Sequence, residues 1–284
     1  VLIVGCGDVG LRVAAGLRAR TRVLALTSAA SRVAELRGLG ITPLLGNLDR
    51  AAGLARLAGL ATRVVYLAPP PTEGWSDPRV RSLLRALRLR AAPRQVVYGS
   101  TSGVYGDCQG AWVDETRSSR AGTPRANRRV DAEAQLRFFG RSAGSSVQLL
   151  RIPGIYAPNR EGGTPRERLL RGTPVLCAED DVFTNHIHAD DLARACIAAL
   201  WKGRPQRRYN ISDDTVLKMG DYFDLAADLY QLPRPPRVPR DGAEQQLPVM
   251  LLSFMSESRR LVNQRMKQEL GLRLRYPTVM DGLR

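Results

Sequence analysis

The residues best suited to do chemistry stand at the very front of the chain. Val1-Leu2-Ile3-Val4-Gly5-Cys6-Gly7-Asp8-Val9-Gly10 places the spacing G-x-G-x-x-G directly behind an apolar run. Such a bend grips an anion with its backbone. Gly5 permits the tight turn, Gly7 lets a diphosphate approach the main chain, and Gly10 lets the following helix pack closely on the strand. The free N–H groups at the helix start then hold the charge. Gly5, Gly7, Asp8, Val9 and Gly10 are therefore expected to cradle the pyrophosphate of a dinucleotide. The bland alternative is a tight turn with no ligand. Which dinucleotide depends on the next strand, which ends Leu26-Thr27-Ser28 with no acid before Glu35. An NAD site usually has Asp or Glu there to accept the ribose hydroxyls. Ser28, Ser31 and Arg32, with Thr27 beside them, offer hydroxyls and a cation instead, which suits a 2′-phosphate, so NADP is favoured over NAD. Arg32 as a merely solvated helix residue is the competing reading.

His186 and His188 are the chain's two histidines, and imidazole suits proton transfer near neutral pH. An H-x-H pair with Asp190 or Asp191 also has the makings of a metal site. Cys6, Cys108, Cys177 and Cys196 lack C-x-x-C spacing, which argues against a zinc site or a disulfide framework. No metal is expected.

Behind these residues lies an ordinary globular composition, 44% hydrophobic and 25% charged over 284 residues. No run approaches the roughly 18 apolar residues of a membrane span. Val1–Val4 is too short for a secretory leader, and a cytoplasmic location with no membrane partner is expected. The formal charge of +16 raises nucleic-acid binding. Lys202, Lys218 and Lys267 are the only lysines, so arginine supplies nearly all of the 43 basic side chains. Those arginines are dispersed without aromatic interleaving, which makes nucleic acid an unlikely partner.

The elements that must position these groups alternate. Val1–Val4, Arg22–Leu26, Ile41–Leu45, Arg63–Ala68, Gln95–Tyr98 and Val147–Arg151 read as strands. Val9, Val13 and Leu17 mark a first helix, and Val80, Leu83, Leu84 and Leu87 another. Pro69-Pro70-Pro71 ends the fourth strand. Strand and helix in alternation mean an α/β fold, a Rossmann-type doubly wound parallel sheet. After about Pro153 the pattern loosens. Helices are expected around Leu192–Leu200, with Asp190 or Asp191 as N-cap, around Tyr222–Leu229, and from Val262 to Leu270, ended by Gly271. Pro233–Pro248 reads as a loop. The expected division is a dinucleotide-binding domain over 1–152 and a smaller C-terminal α/β substrate lobe over 153–284, with the chain free to cross between them.

Ser100-Thr101-Ser102-Gly103-Val104-Tyr105-Gly106 resembles the Ser/Thr-rich strand end and Val-Tyr-Gly of the extended short-chain dehydrogenase/reductases, the NAD-dependent epimerase/dehydratase family. Three later stretches are similar to that family's segments: Leu150–Pro158, Asn185–Leu192 and Arg208–Asp213. The resemblance implies that Ser100 and Thr101 lie at the site, with the Thr101 hydroxyl on the substrate oxygen. A local turn bond is the alternative for that hydroxyl. It implies that Pro153, Gly154 and Ile155 lie beside the nicotinamide, and that Leu67, Ala68 and Pro69 line adenine and ribose. Asn47, after Gly46, would bond the adenine amino group where the family has Asp, with Leu48 beside it. The His segment is a helix entry in the family, which argues against a metal.

The chain departs from that family in two ways. The family's proton donor is Tyr, followed four residues later by Lys, yet no Tyr or Lys occurs from Asp107 to Ile155. Aligned on Pro124 and Glu133, Arg125 takes the Tyr position and Arg129 the Lys position. Arginine keeps its proton and cannot replace the phenol, although Arg129 can still bond ribose hydroxyls. Tyr105 and Tyr156 are the nearest phenols, and Tyr105 is the candidate replacement. The glycine spacing is also shorter than the extended pattern. Both departures resemble the atypical branch, whose members keep fold and cofactor without the Tyr/Lys pair. Three functions follow for testing: an NAD(P)-dependent oxidoreductase or epimerase-like enzyme of unknown substrate, a non-catalytic NADP(H) sensor or scaffold, and an arginine-rich nucleic-acid binder with a vestigial site. A homodimer is a further expectation from the family.

Overall fold

The computed structural model describes residues 1–247 and 249–284, and the side chains of all of these except Glu244, Val249, Met250 and Phe254. Its centre is a seven-stranded sheet. In spatial order the strands are Arg207–Asn210, Ser146–Ile152, Gln95–Thr101, Arg63–Tyr66, Leu2–Val4, Leu24–Thr27 and Thr42–Leu45. Every pairing is parallel. The order reverses at the first strand, which is where a doubly wound sheet opens a crevice.

The continuous apolar runs follow from burial on both faces. Ile3, Ala25, Val65, Val97 and Leu150 point to one side, against Val13 and Leu17 of helix Asp8–Leu17 and Leu192, Cys196 and Leu200 of helix Ala189–Lys202. Leu2, Val4, Leu24, Val64, Val96 and Leu149 point to the other, against helices Pro78–Leu87 and Pro124–Ala143. Both of these helices begin with proline behind a capping side chain. Asp77 accepts from the Val80 amide at 3.1 Å, and Thr123 from the Ala126 amide at 3.2 Å.

The chain crosses between sheet and lobe after residue 153. Helix Ala189–Lys202, strand Arg207–Asn210 and helix Gln264–Leu270 lie with the sheet, and Gly271 ends the last of these at φ +62°. The lobe has its own core, built on helix Met219–Tyr230 with Val175, Leu176 and Ala243. Two expectations need correction. Pro233–Pro248 is not an unstructured loop, because Arg237–Val238 pairs with Val175–Leu176 and a helix runs over Arg240–Gln246. Pro248 itself lies outside the described residues. The N-cap of helix Ala189–Lys202 is His188, not an aspartate: its Nδ1 accepts from the Asp190 amide at 3.2 Å. The helix starts two or three residues earlier than expected, which frees Asp191 to accept from the Arg275 and Tyr276 amides at 2.8 and 2.9 Å. Among the described residues no helix is long and apolar enough to cross a membrane.

Candidate active site

The three glycines show the three geometries that a phosphate-binding bend requires. Gly5 sits at φ +91°, and a Cβ there would lie 2.3 Å from the Ala68 nitrogen. A Cβ on Gly10 would lie 2.7 Å from the Gly5 carbonyl oxygen, so helix and strand touch at that point. Gly7, at the helix N-terminus, faces open space with nothing within 4 Å of an added Cβ. That space belongs to a cavity of about 580 Å³ running along the C-terminal ends of the central strands. Gly5, Gly7, Asp8, Val9, Gly10, Leu67, Pro69, Ser100, Arg129, Pro153 and Ile155 all line it. Ala68 is buried behind the glycine bend, and Gly154 faces a second cavity.

Thr27, Ser28, Arg32, Asn47 and Leu48 lie outside the lining of that cavity. Thr27 Oγ1 accepts from the Ala29 amide at 3.3 Å. Asn47 turns its side-chain oxygen to the Asp49 amide at 2.9 Å, a local Asx turn. Arg32 reaches the glycine bend, where Nη1 donates to the Cys6 carbonyl at 2.6 Å. Nε and Nη2 donate to Glu35, each at 3.1 Å.

The second cavity, of about 600 Å³, lies between the sheet end and the lobe. Thr101, Arg125, Pro153, Ile155 and Arg160 line both cavities and so form the junction between them. Thr101 ends its strand, and Oγ1 accepts from the Gly103 amide at 3.2 Å. The local turn bond therefore exists, and it leaves the hydroxyl proton available to a ligand. Arg125, Arg128 and Arg129 present one helical face to the dinucleotide-side cavity, at the i, i+3, i+4 spacing that shares a face. Arg129 Nη1 is held by the Tyr98 hydroxyl at 2.9 Å and the Gly99 carbonyl at 3.0 Å. Desolvation in the cleft and the neighbouring Arg129 hold Arg125 below the usual guanidinium range. Arg128 escaped the sequence reading, although R-x-x-R-R was its signal.

Tyr105 is corrected as a catalytic candidate. It is fully buried, donates to Asn210 Oδ1 at 2.7 Å, lies beneath the Arg151 guanidinium and lines neither cavity. Ser100, by contrast, reaches into the sheet's buried polar network. It donates to Glu133 at 2.6 Å, and Glu133 takes a two-pronged ion pair from Arg151 at 3.1 and 2.8 Å.

His186 and His188 share a strand but do different things. His188 caps a helix. His186 lines the lobe cavity and stacks on Tyr222, with ring centroids 4.2 Å apart. Burial lowers His186 to about 4, so it is a neutral imidazole at physiological pH. Asp213, whose amide donates to the His186 carbonyl at 2.8 Å, is pushed up to about 7 by burial. Among the described residues no cluster of side chains could hold a metal ion.

A family model for the NAD dependent epimerase/dehydratase family matches residues 1–212. Curated proteins yield no match. Among solved structures, a conserved protein of unknown function from Silicibacter pomeroyi is similar over 99% of this chain and 95% of its own. It has 31% identity and a TM-score of 0.82. The UDP-glucose 4-epimerase of Thermotoga maritima, solved with UDP-glucose, has 20% identity and a TM-score of 0.81 over 99% and 95% of the two chains. That of Thermus thermophilus, solved with NAD, has 22% identity and a TM-score of 0.79 over 100% and 96%. With three quarters of its length under one family model, the chain belongs to the NAD-dependent epimerase/dehydratase family.

Proposed function

We propose that the protein is an NADP(H)-dependent oxidoreductase of this family that works without the Tyr/Lys pair. The observation that carries this reading is the continuity of site: a glycine bend open at Gly7 leads along one cavity to Thr101, where a second cavity begins. The residues fit a dinucleotide, with its pyrophosphate on the helix N-terminus and its nicotinamide end against Pro153 and Ile155. The cofactor supplies hydride exchange. The chain supplies Thr101 as a hydrogen-bond donor to the substrate oxygen, and Arg125 as a cation at the junction. Both stabilise the charge that develops there, and the proton that accompanies hydride exchange passes between the substrate oxygen and solvent in the open cavity.

NADP is preferred on the strength of Arg32. One hydrogen on each of its terminal nitrogens remains after the bonds to Cys6 and Glu35, and no carboxylate ends the second strand. A second reading, a non-catalytic NADP(H) sensor, is favoured by the junction itself, since neither Thr101 nor Arg125 exchanges a proton near neutral pH. Calorimetric titration with NADP, NADPH and NAD, followed by a substrate screen, tests both. NADP is expected to bind at least about tenfold tighter than NAD, and Arg32→Ala to remove that preference, a change of about 1.4 kcal/mol. Equal affinities would overturn the NADP assignment. Turnover that drops sharply in Thr101→Ala with cofactor affinity intact supports the enzyme over the sensor.

A further inference from the structure

Four arginines line the lobe cavity against one glutamate, and three of the four have a structural reason to be there. Arg259 is held by Glu257 and by the carbonyls of Gly106 and Ser102. Arg160 reaches Asp8 at 3.6 Å and the Ile155 carbonyl at 3.4 Å. Arg125 belongs to the cationic face of its helix. Arg168 is different. Its Nε and Nη2 are closed off from solvent, and neither has a hydrogen-bond partner. Its guanidinium lies 4.2 Å over the ring of Phe223, which fixes its plane without satisfying its N–H groups. Besides burial, the nearby charge that lowers it is Arg171, of the same sign, and together they hold it down to about 10. It therefore remains a cation at neutral pH, in a place where a cation needs a counter-ion.

The two orphan nitrogens define the chemistry. Nε and Nη2 form one edge of the guanidinium, and their two hydrogens point in parallel. That edge matches two oxygens of a carboxylate or phosphate, and it suits neither a single carbonyl nor an apolar group. We propose that Arg168, which lines the lobe cavity but keeps this edge covered in the structure, turns it to a compact oxyanion, carboxylate or phosphate, carried by the small molecule that fills the cavity. Its opposite, reacting end lies toward Thr101. This rests on the reading of the lobe cavity as the substrate site, and it adds the charge and the orientation of the substrate. The Phe223 ring braces the guanidinium from behind, and His186 and Tyr222 line the wall as neutral groups that leave the anion unopposed.

The test is calorimetric titration of the full chain with inorganic phosphate and with glutarate at constant ionic strength. It is run with and without saturating NADP, which covers the glycine bend as a competing phosphate site. Wild type is expected to bind at least one of the two saturably in the presence of NADP. Which of them binds tells a phosphate ester from a carboxylate. Arg168→Gln is expected to weaken that binding at least tenfold, and Arg168→Lys, which keeps the charge but loses the fork, to restore less than a third of the loss. Arg166→Gln, the same charge change on the exposed side of the same helix, leaves binding within twofold. Without anion, Arg168→Gln should melt no lower than wild type, because an unpaired buried cation has been removed. If it fails to fold, the role of Arg168 is structural and the proposal falls. Anion binding within twofold of wild type in Arg168→Gln, or none in wild type, also overturns it. NADP titrated alone reports separately on the dinucleotide reading, which can fail while the anion result stands.

Discussion

The two cavities meet at Thr101 but are made of different material. On the dinucleotide side the recognition surface is backbone: a bend at Gly5, open space at Gly7 and the amides of a helix start. On the lobe side it is side chains, brought from the strand end at Thr101, the helix Arg166–Leu170, the strand at His186 and the helix Met219–Tyr230. A backbone surface needs only a few residue types in tight spacing, so chains with different side chains can build it for the same diphosphate. A side-chain surface assembled from distant segments can be rewritten residue by residue. The difference explains how a family keeps one cofactor while its chemistry changes.

Substitutions in the glycine bend are the harshest way to break that comparison. Gly5→Ala places a Cβ against the Ala68 backbone at a left-handed φ, and should cost about 3 kcal/mol or more of stability. Gly7→Ala meets no neighbour. Its stability should stay within about 0.5 kcal/mol of wild type, while dinucleotide affinity falls at least about tenfold. Thermal melts and calorimetry on the pair separate fold from ligand. Equal loss of stability in both would show that Gly7 also serves the fold.

A smaller effect is expected of Tyr105→Phe. Losing the bond to Asn210 should cost about 1 kcal/mol, with turnover and cofactor binding unchanged. A large fall in turnover without unfolding would return Tyr105 to the active site.

The mildest test sharpens the lobe side through pH. His186, lowered to about 4, takes up its proton in the unfolded chain before the folded one, so its contribution falls as pH drops from 6.5 towards 4. Asp213, raised from 3.8 to about 7, binds its proton first in the folded chain, so its contribution falls as pH rises through that window. The two slopes oppose each other in wild type. Urea melts from pH 4 to 8 should show stability declining with rising pH in His186→Phe, and increasing in Asp213→Asn. Parallel profiles in all three proteins would contradict both shifts.

The backbone side was legible in the residues themselves, and the lobe side was not. The geometries at Gly5, Gly7 and Gly10 followed from spacing, and the sheet strands from unbroken apolar runs such as Val64–Tyr66. The limits of that reading lie where tertiary contact decides. Tyr105 stands four residues from Thr101 in sequence, yet the 3₁₀ turn Ser102–Tyr105 carries it into the core towards Asn210, more than a hundred residues on. The helix Pro124–Ala143 hides its function because it buries Arg128 and Glu133 among its apolar residues, so periodicity does not reveal its inner face. Arg168 looked like any other arginine in an arginine-rich chain. Only the closed surroundings of its Nε and Nη2 distinguish it.

The crossing of the chain has a consequence for biosynthesis. Strand Arg207–Asn210 seals the outer side of Ser146–Ile152, but it follows that strand by more than fifty residues, with part of the lobe in between. A nascent chain halted between those points carries an unsheathed row of amides and carbonyls beside Val147, Leu149 and Leu150. Such a margin recruits other chains. Fragments ending near residue 200 should therefore be recovered in aggregates, and extension past Asn210 should lower the aggregated fraction by covering that edge.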